Sequence, residues 1–234
     1  MTISFEQVCF SHKTRPVLHN VSTRIAQGRL VGIIGPNGGG KTTFLDLCTG
    51  DLTPEKGIVQ VETTRPYAIG FVSQGGRYDR QFPITVWDVL LSAFVARSRF
   101  WGRLPEDCLK QAEQCLVDLE LTPYRNVSFG NLSTGLMQKV LIGRALLDNP
   151  EILLLDEPTS NLDPDARAKL LELIYSLKGK MTILLVTHDL EIAIHHVDQV
   201  LYIERTLSSF KPQDICKHFG IGLYHHAPLN SGAS

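Results

Sequence analysis

No stretch of this 234-residue chain approaches the roughly twenty consecutive apolar residues that a bilayer crossing needs. The longest apolar runs, Ile152 to Leu155 and Met181 to Val186, have the length of buried strands. Disulfide-forming potential is also missing. The five cysteines (Cys9, Cys48, Cys108, Cys115, Cys216) are odd in number, scattered and without a C-x-x-C pair. That pattern excludes a disulfide framework or a zinc ribbon and reads as free thiols in a reducing compartment. Nor is there an excess of positive charge. The formal net charge is -1, which argues against a general nucleic-acid coat. Internal repeats and low-complexity segments are absent, and the opening MTISFEQ, with Glu6, lacks the charged-then-apolar order of a signal peptide. What remains is an ordinary globular composition, 43% hydrophobic and 20% charged. Its length suits one α/β domain with a smaller helical insert.

The most informative residues are Gly35 to Thr43, GPNGGGKTT, which fit the pattern G-x-x-x-x-G-K-[ST] at every position. Leu30 to Ile34 before them reads as a buried parallel strand, and Thr42 to Leu47 as the first turns of a helix. Strand, glycine-rich loop, helix is the context in which this motif binds phosphate. Glycines let the backbone curl so that successive N–H groups converge, and the helix adds its positive end. Nucleotide-binding positions are therefore Gly35, Pro36, Asn37, Gly38, Gly39, Gly40, Lys41, Thr42 and Thr43. Lys41 is placed to reach the β- and γ-phosphates, and the Thr42 hydroxyl to ligate Mg²⁺.

Around this loop the hydrophobic period changes along the chain. Ile3 to Phe10 and Val17 to Ala26 read as two strands joined by a polar turn, and Gly57 to Glu62 and Ile69 to Ser73 as two more. From Thr85 to Glu120 the apolar residues fall at helical spacing, and Pro105 with Glu106 and Asp107 suits a helix start. Leu132 to Leu147 reads as a further helix with Ser133 at its N-cap. Strand Ile152 to Asp156, helix Pro164 to Leu177, strand Met181 to Thr187 and strand Gln199 to Glu204 follow.

Strand Ile152 to Asp156 delivers adjacent acids, Asp156 and Glu157. Successive strand side chains point to opposite sides, so the two can hold different roles. Asp156 suits a contact to Mg²⁺, direct or through a water, opposite Thr42, and Glu157 suits polarising an attacking water as general base. The strand ending at Thr187 leads to His188, whose neutral imidazole is a candidate to reach the γ-phosphate and the water.

Five pieces in order resemble the ATP-binding cassette family: GPNGGGKTT, Gln74 at a strand end, LSTGL (Leu132 to Leu136), LLLDEPTSNLD (Leu153 to Asp163) and THD (Thr187 to Asp189). The resemblance spans nearly the whole chain. It implies an α/β fold: a P-loop NTPase (RecA-like) core with an antiparallel β subdomain and an inserted α-helical subdomain. The division it implies is a single domain over 1–234. Residues 1–73 and 148–210 form the nucleotide-binding core, 74–147 the helical subdomain with the signature segment, and 211–234 a tail. It further implies ATP hydrolysis with ATP and Mg²⁺ as ligands, in a homodimer whose sites each combine one chain's phosphate loop with the partner's signature segment. Catalytic roles then fall to Glu157, His188 and Gln74, and Mg²⁺ to Thr42, Gln74 and Asp156. Contacts to the partner's nucleotide fall to Ser133, Thr134, Gly135, Leu136 and Asp163. His12 aligns with the adenine-stacking position, with Phe10 as a nearby substitute.

The pieces Ile69 to Gln74 and Phe82 to Val89, and the tail in which Leu201 to Arg205 precedes a short helix and Phe219-Gly220, are similar to ATPases of bacterial manganese, zinc and iron importers. By that resemblance the partners are transmembrane permease subunits and, indirectly, a metal-binding solute receptor, with no nucleic acid. The location is the inner face of the cell membrane, on the cytoplasmic side. The aromatics Phe82, Trp87, Phe94, Phe100 and Trp101 either fill the helical lobe or form a groove for a membrane partner's helix. A soluble cassette ATPase and a regulatory nucleotide-binding module remain the alternatives. The family's usual signature is LSGGQ. Here Thr134 and Leu136 replace a glycine and a glutamine, which predicts a looser grip on the γ-phosphate and slower turnover. His218, His225 and His226 near the end carry metal-ligand chemistry, but ligand type alone does not make a site.

Overall fold

The computed structural model describes residues 2–65, 68–74, 82–97 and 104–218. Phe100, Trp101, His225 and His226 lie outside the described residues, and the side chain of His218 is likewise not described. The chain runs β1 (Thr2–His12), β2 (Arg15–Ala26), β3 (Leu30–Ile34), α1 (Lys41–Thr49), β4 (Lys56–Val61), β5 (Ile69–Val72), α2 (Val86–Leu91) and α3 (Glu106–Asp118). It continues α4 (Thr134–Leu146), β6 (Ile152–Asp156), α5 (Pro164–Ser176), β7 (Thr182–Val186), α6 (Leu190–His195), β8 (Gln199–Glu204), β9 (Thr206–Phe210) and α7 (Pro212–His218).

Two sheets form. One is an antiparallel ribbon ordered β2-β1-β4, and the other is ordered β5-β6-β7-β3-β8-β9. All neighbours in the larger sheet are parallel except the final hairpin β8–β9. Every residue of β3, β6 and β7 is buried, which is why these strands read as unbroken apolar runs. Alternation sorts their side chains onto two cores. Leu30, Leu153, Leu155, Ile183 and Leu185 face the helical side. Val31, Ile33, Ile152, Leu154, Leu184 and Val186 face the antiparallel ribbon and α1, where Phe5 and Phe44 stack with centroids 4.2 Å apart.

The helical lobe is built from α2, a 3-10 turn over Ser92–Arg97, α3 and the start of α4. Thr85 and Asp88 form a reciprocal capping box that starts α2. Pro105 sits at the N-cap of α3 rather than inside its first turn, with Glu106 and Asp107 favouring the helix's positive end. Phe94 is fully buried in this lobe, while Trp87 is half-buried beneath the Arg125 guanidinium, 4.1 Å from the ring centroid. Phe82 is 59% exposed, the one large aromatic among the lobe's described residues that stands on the surface. Sequence periodicity missed two elements. Helix α6 is a single short turn pair, too brief for a 3.6-residue pattern to emerge. Strand β9 is the polar segment TLSSF, held by pairing to β8 rather than by its own apolarity.

Candidate active site

The C-terminal ends of the parallel strands β6, β7 and β3 open on one edge of the larger sheet, and the site is assembled there. After β3 the loop Gly35–Gly40 turns back on itself, with Gly39 N–H donating to the Pro36 carbonyl at 3.0 Å. A Cβ on Gly35 would lie 2.1 Å from the Ile203 carbonyl oxygen, so the loop packs on β8 at a distance only glycine permits. Gly40 caps α1 with φ 109, which lets the helix begin at once after the turn.

Lys41 is only 6% exposed, and its ammonium donates to the carbonyls of Gly35 at 2.9 Å and Pro36 at 3.0 Å. Burial lowers its pKa, while Glu157 and Asp156 push it back up. The next side chain faces the cleft: the Thr42 hydroxyl donates to Asp156 Oδ2 at 2.8 Å. Asp156 is 2% exposed. Burial raises its pKa, the Thr42 bond opposes that, Glu157 adds to the rise, and Lys41 and His188 counter it. A hydroxyl and a carboxylate side by side are hard oxygen donors suited to a cation such as Mg²⁺. An incompletely balanced buried carboxylate is what such a cation would neutralise.

Glu157 departs from the sequence reading. The strand ends at Asp156, and Glu157 takes a left-handed conformation with φ 50. The two acids therefore diverge through a backbone turn, not through strand alternation. A non-glycine residue held in that region is strained, and such strain gathers at functional sites. Three hydrogen bonds enforce it: Glu157 N–H donates to the Val186 carbonyl, and the Glu157 carbonyl accepts from the Ser160 N–H and hydroxyl. The turn aims the carboxylate between two side chains from distant segments. Gln74 Nε2 donates to one oxygen, and His188 Nε2 pairs with the other. The three residues expected to be catalytic thus form one cluster beside the Thr42–Asp156 pair. Glu157 is 11% exposed there and His188 is 46% exposed.

A cleft of about 300 Å³ holds much of this machinery, its lining shared by Lys41, Thr42, Gln74 and Glu157 with His12 and Arg15. His12 lines the same cleft as Lys41. Phe10 cannot substitute for it. That ring is 8% exposed within the ribbon core and meets His12 edge-on, centroids 5.0 Å apart. Arg15 was missed in the sequence because it belongs to no motif, and its register on β2 opposite His12 brings it in.

The signature residues lie elsewhere. Ser133 caps α4, its hydroxyl accepting from the Leu136 N–H at 3.4 Å. Ser133, Gly135 and Leu136 line a separate cavity of about 370 Å³ with Asp163 and Lys169. Thr134 is exposed, and Leu136 is half-buried against the main core. Asp163 caps α5 through the Ala166 N–H at 2.9 Å. Within one chain, therefore, these residues do not join the Lys41 cleft. Arg167, in the first turn of α5, pairs with Asp189, a contact that no motif spacing announces.

Compared with known proteins, the chain matches the ABC transporter family over residues 18–160. A "Probable metal transport system ATP-binding protein" of Chlamydia trachomatis serovar D is 41% identical, over 87% of this chain and 89% of its own. The "High-affinity zinc uptake system ATP-binding protein ZnuC" of Bacillus subtilis is 33% identical, over 87% of this chain and 91% of its own. Among solved structures, a nucleotide-free ATP-binding cassette from an ABC transporter is similar with a TM-score of 0.80 at 25% identity, covering 93% of this chain and 94% of that one.

Proposed function

Because this chain belongs to the ABC transporter family, we propose that it is the ATP-hydrolysing subunit of a membrane importer for a divalent transition metal. The metal is inferred from relatives named for metal and zinc transport. The observation that carries the hydrolytic reading is the convergence of Gln74 and His188 on the Glu157 carboxylate, beside Thr42 and Asp156.

The loop Gly35–Gly40 and the N-terminus of α1 cradle the phosphates, and the Lys41 ammonium exchanges its loop carbonyls for phosphate oxygens. Thr42, Asp156 and Gln74 would hold Mg²⁺, which when bound neutralises charge on the β- and γ-phosphate oxygens. Glu157 accepts the proton of the attacking water as general base. His188 and Gln74, bonded to opposite oxygens of that carboxylate, fix its direction and position the water. His12 stacks on the base.

The signature residues point to a second copy. Ser133, Thr134, Gly135 and Leu136 open a helix whose N-terminal residues line a cavity separate from their own chain's phosphate cleft, with Asp163 in the same lining, and they serve the nucleotide of a partner. Closure of such a homodimer on ATP, and its reopening after hydrolysis, drives permease subunits that bind at the cytoplasmic face of the membrane. A metal-binding receptor supplies cargo to the permease, and nucleic acid has no part. Among the described residues no helix is long and apolar enough to cross a membrane.

Glu157→Gln tests this reading. Removing the proton acceptor while keeping the shape should cut phosphate release by about 10²–10⁴-fold. Binding of ATP should be retained, and size-exclusion chromatography with Mg²⁺–ATP should show a stable dimer. Hydrolysis within tenfold of wild type, on the order of a weak effect, would remove Glu157 from the role of base.

A further inference from the structure

The residue after His188 divides its carboxylate between two tasks. Asp189 Oδ1 accepts the N–H groups of Glu191 at 2.9 Å and Ile192 at 3.4 Å, which starts α6. Oδ2 pairs with the Arg167 guanidinium. Arg167 stands in the first turn of α5, its N–H donating to the Asp163 carbonyl at 2.9 Å. The turn has little freedom. A Cβ on Gly135 would fall 2.8 Å from the Cβ of Ala166, so α4 abuts the residue just before Arg167. Arg167, Asp189, His188, Glu157 and Ser160 border one open cavity of about 480 Å³.

With side chains 39% and 21% exposed, the Arg167–Asp189 pair adds little to folding stability, since half-exposed ion pairs are screened and entropically costly. Its geometric effect is larger. A cation on one carboxylate oxygen, with the other oxygen engaged in a helix cap, restricts the Asp189 side chain from both ends. The backbone is tied as well, because Asp189 N–H donates to the Thr187 hydroxyl at 3.0 Å. His188 lies between those two anchored residues.

We propose that Arg167 is a positioning residue for hydrolysis: through Asp189 it fixes the loop that aims His188 at Glu157. The helix that carries it is capped by Asp163 and packs on the signature helix. The same pair therefore ties the partner-facing segment of a subunit to that subunit's own water-orienting residues. This rests on the hydrolytic reading of Glu157 and His188.

The test is steady-state phosphate release by the full-length chain, with Mg²⁺–ATP titrated and thermal melts recorded in parallel. Arg167→Ala should lower kcat by about tenfold or more, because small displacements of a positioning group cost that much. KM should stay within about twofold, because the phosphate loop is untouched. Asp189→Asn keeps the cap but loses the charge, and should give the same loss. The double variant should be no slower than the worse single variant, the behaviour of residues that act as one unit. Arg167→Lys should recover a large part of the rate. Three results would overturn the proposal: an Arg167→Ala kcat within about twofold of wild type, losses that multiply in the double variant, or a loss matched by the fraction unfolded. A wild-type chain that releases no phosphate would instead overturn the hydrolytic reading itself.

Discussion

Asp156→Asn removes a charge from the floor of the site and should expose a conflict between stability and function. The carboxylate is 2% exposed, and burial raises its pKa above the ordinary value of 3.8 despite the Thr42 hydrogen bond and the nearby Lys41. An acid whose folded pKa lies above its unfolded pKa destabilises the fold wherever it is ionised in both states. That cost is fully present above the folded pKa and disappears as pH falls through it toward the unfolded value. Asparagine keeps an oxygen for the Thr42 hydroxyl and abolishes the cost. Relief of this kind at functional sites is typically about 1 kcal/mol. For a chain of this length it corresponds to about 2–4 °C in melting temperature. Melts of the nucleotide-free protein should show the variant ahead of wild type at pH 7–8 (the ordinary working range, roughly three units above a model carboxylate). The lead should shrink as pH falls through the raised Asp156 pKa. Mg²⁺–ATP should reverse the order. Saturating ligand at about 100 times its Kd adds about 2.7 kcal/mol to wild type, and less to a variant missing a cation ligand. Hydrolysis should fall by about 10²-fold or more. A variant less stable than wild type at neutral pH, or a lead that widens in acid, would refute the view that Asp156 is held ionised at the fold's expense.

Lys41→Ala should fold and lose nucleotide. Two charge-assisted phosphate contacts of about 1.5–3 kcal/mol each correspond to a Kd raised by about 10²–10⁴-fold, read by titration calorimetry, and a Kd within about tenfold of wild type would remove Lys41 from phosphate binding. Thr134→Gly combined with Leu136→Gln should raise turnover several-fold by restoring close backbone approach and a polar contact at the partner's γ-phosphate. Because Leu136 packs half-buried on the main core, the same change should lower stability by about 1 kcal/mol. Phosphate release by folded protein that stays level or falls would sink the idea that LSTGL slows the cycle.

Local chemistry is legible in the sequence. The run GPNGGGKTT is contiguous, and its conformation follows from glycine φ angles and the strand and helix on either side. Ser133 reads as a helix cap because capping depends on a few neighbouring residues, whereas the cap that Asp163 provides for α5 emerges only in the structure. The apolar strands β3, β6 and β7 were equally plain, since a strand buried on both faces has no polar positions to interrupt it. Legibility failed where an element is short or is stabilised from outside, as with α6 and β9. It also failed at Phe10, whose alternation on a strand could not say whether the ring faced nucleotide or core.

Sequence alone determined that this chain carries the GPNGGGKTT loop between a strand and a helix, and that Asp156, Glu157 and His188 stand at the ends of apolar strands, because each of those signals is written in adjacent residues. Only the tertiary structure decided how they meet. The left-handed turn at Glu157, the approach of Gln74 and His188 from segments far along the chain, and the grip of Arg167 on Asp189 all depend on sheet order. That order is set by which strands bury which faces together, a property of the whole core that no window of sequence contains.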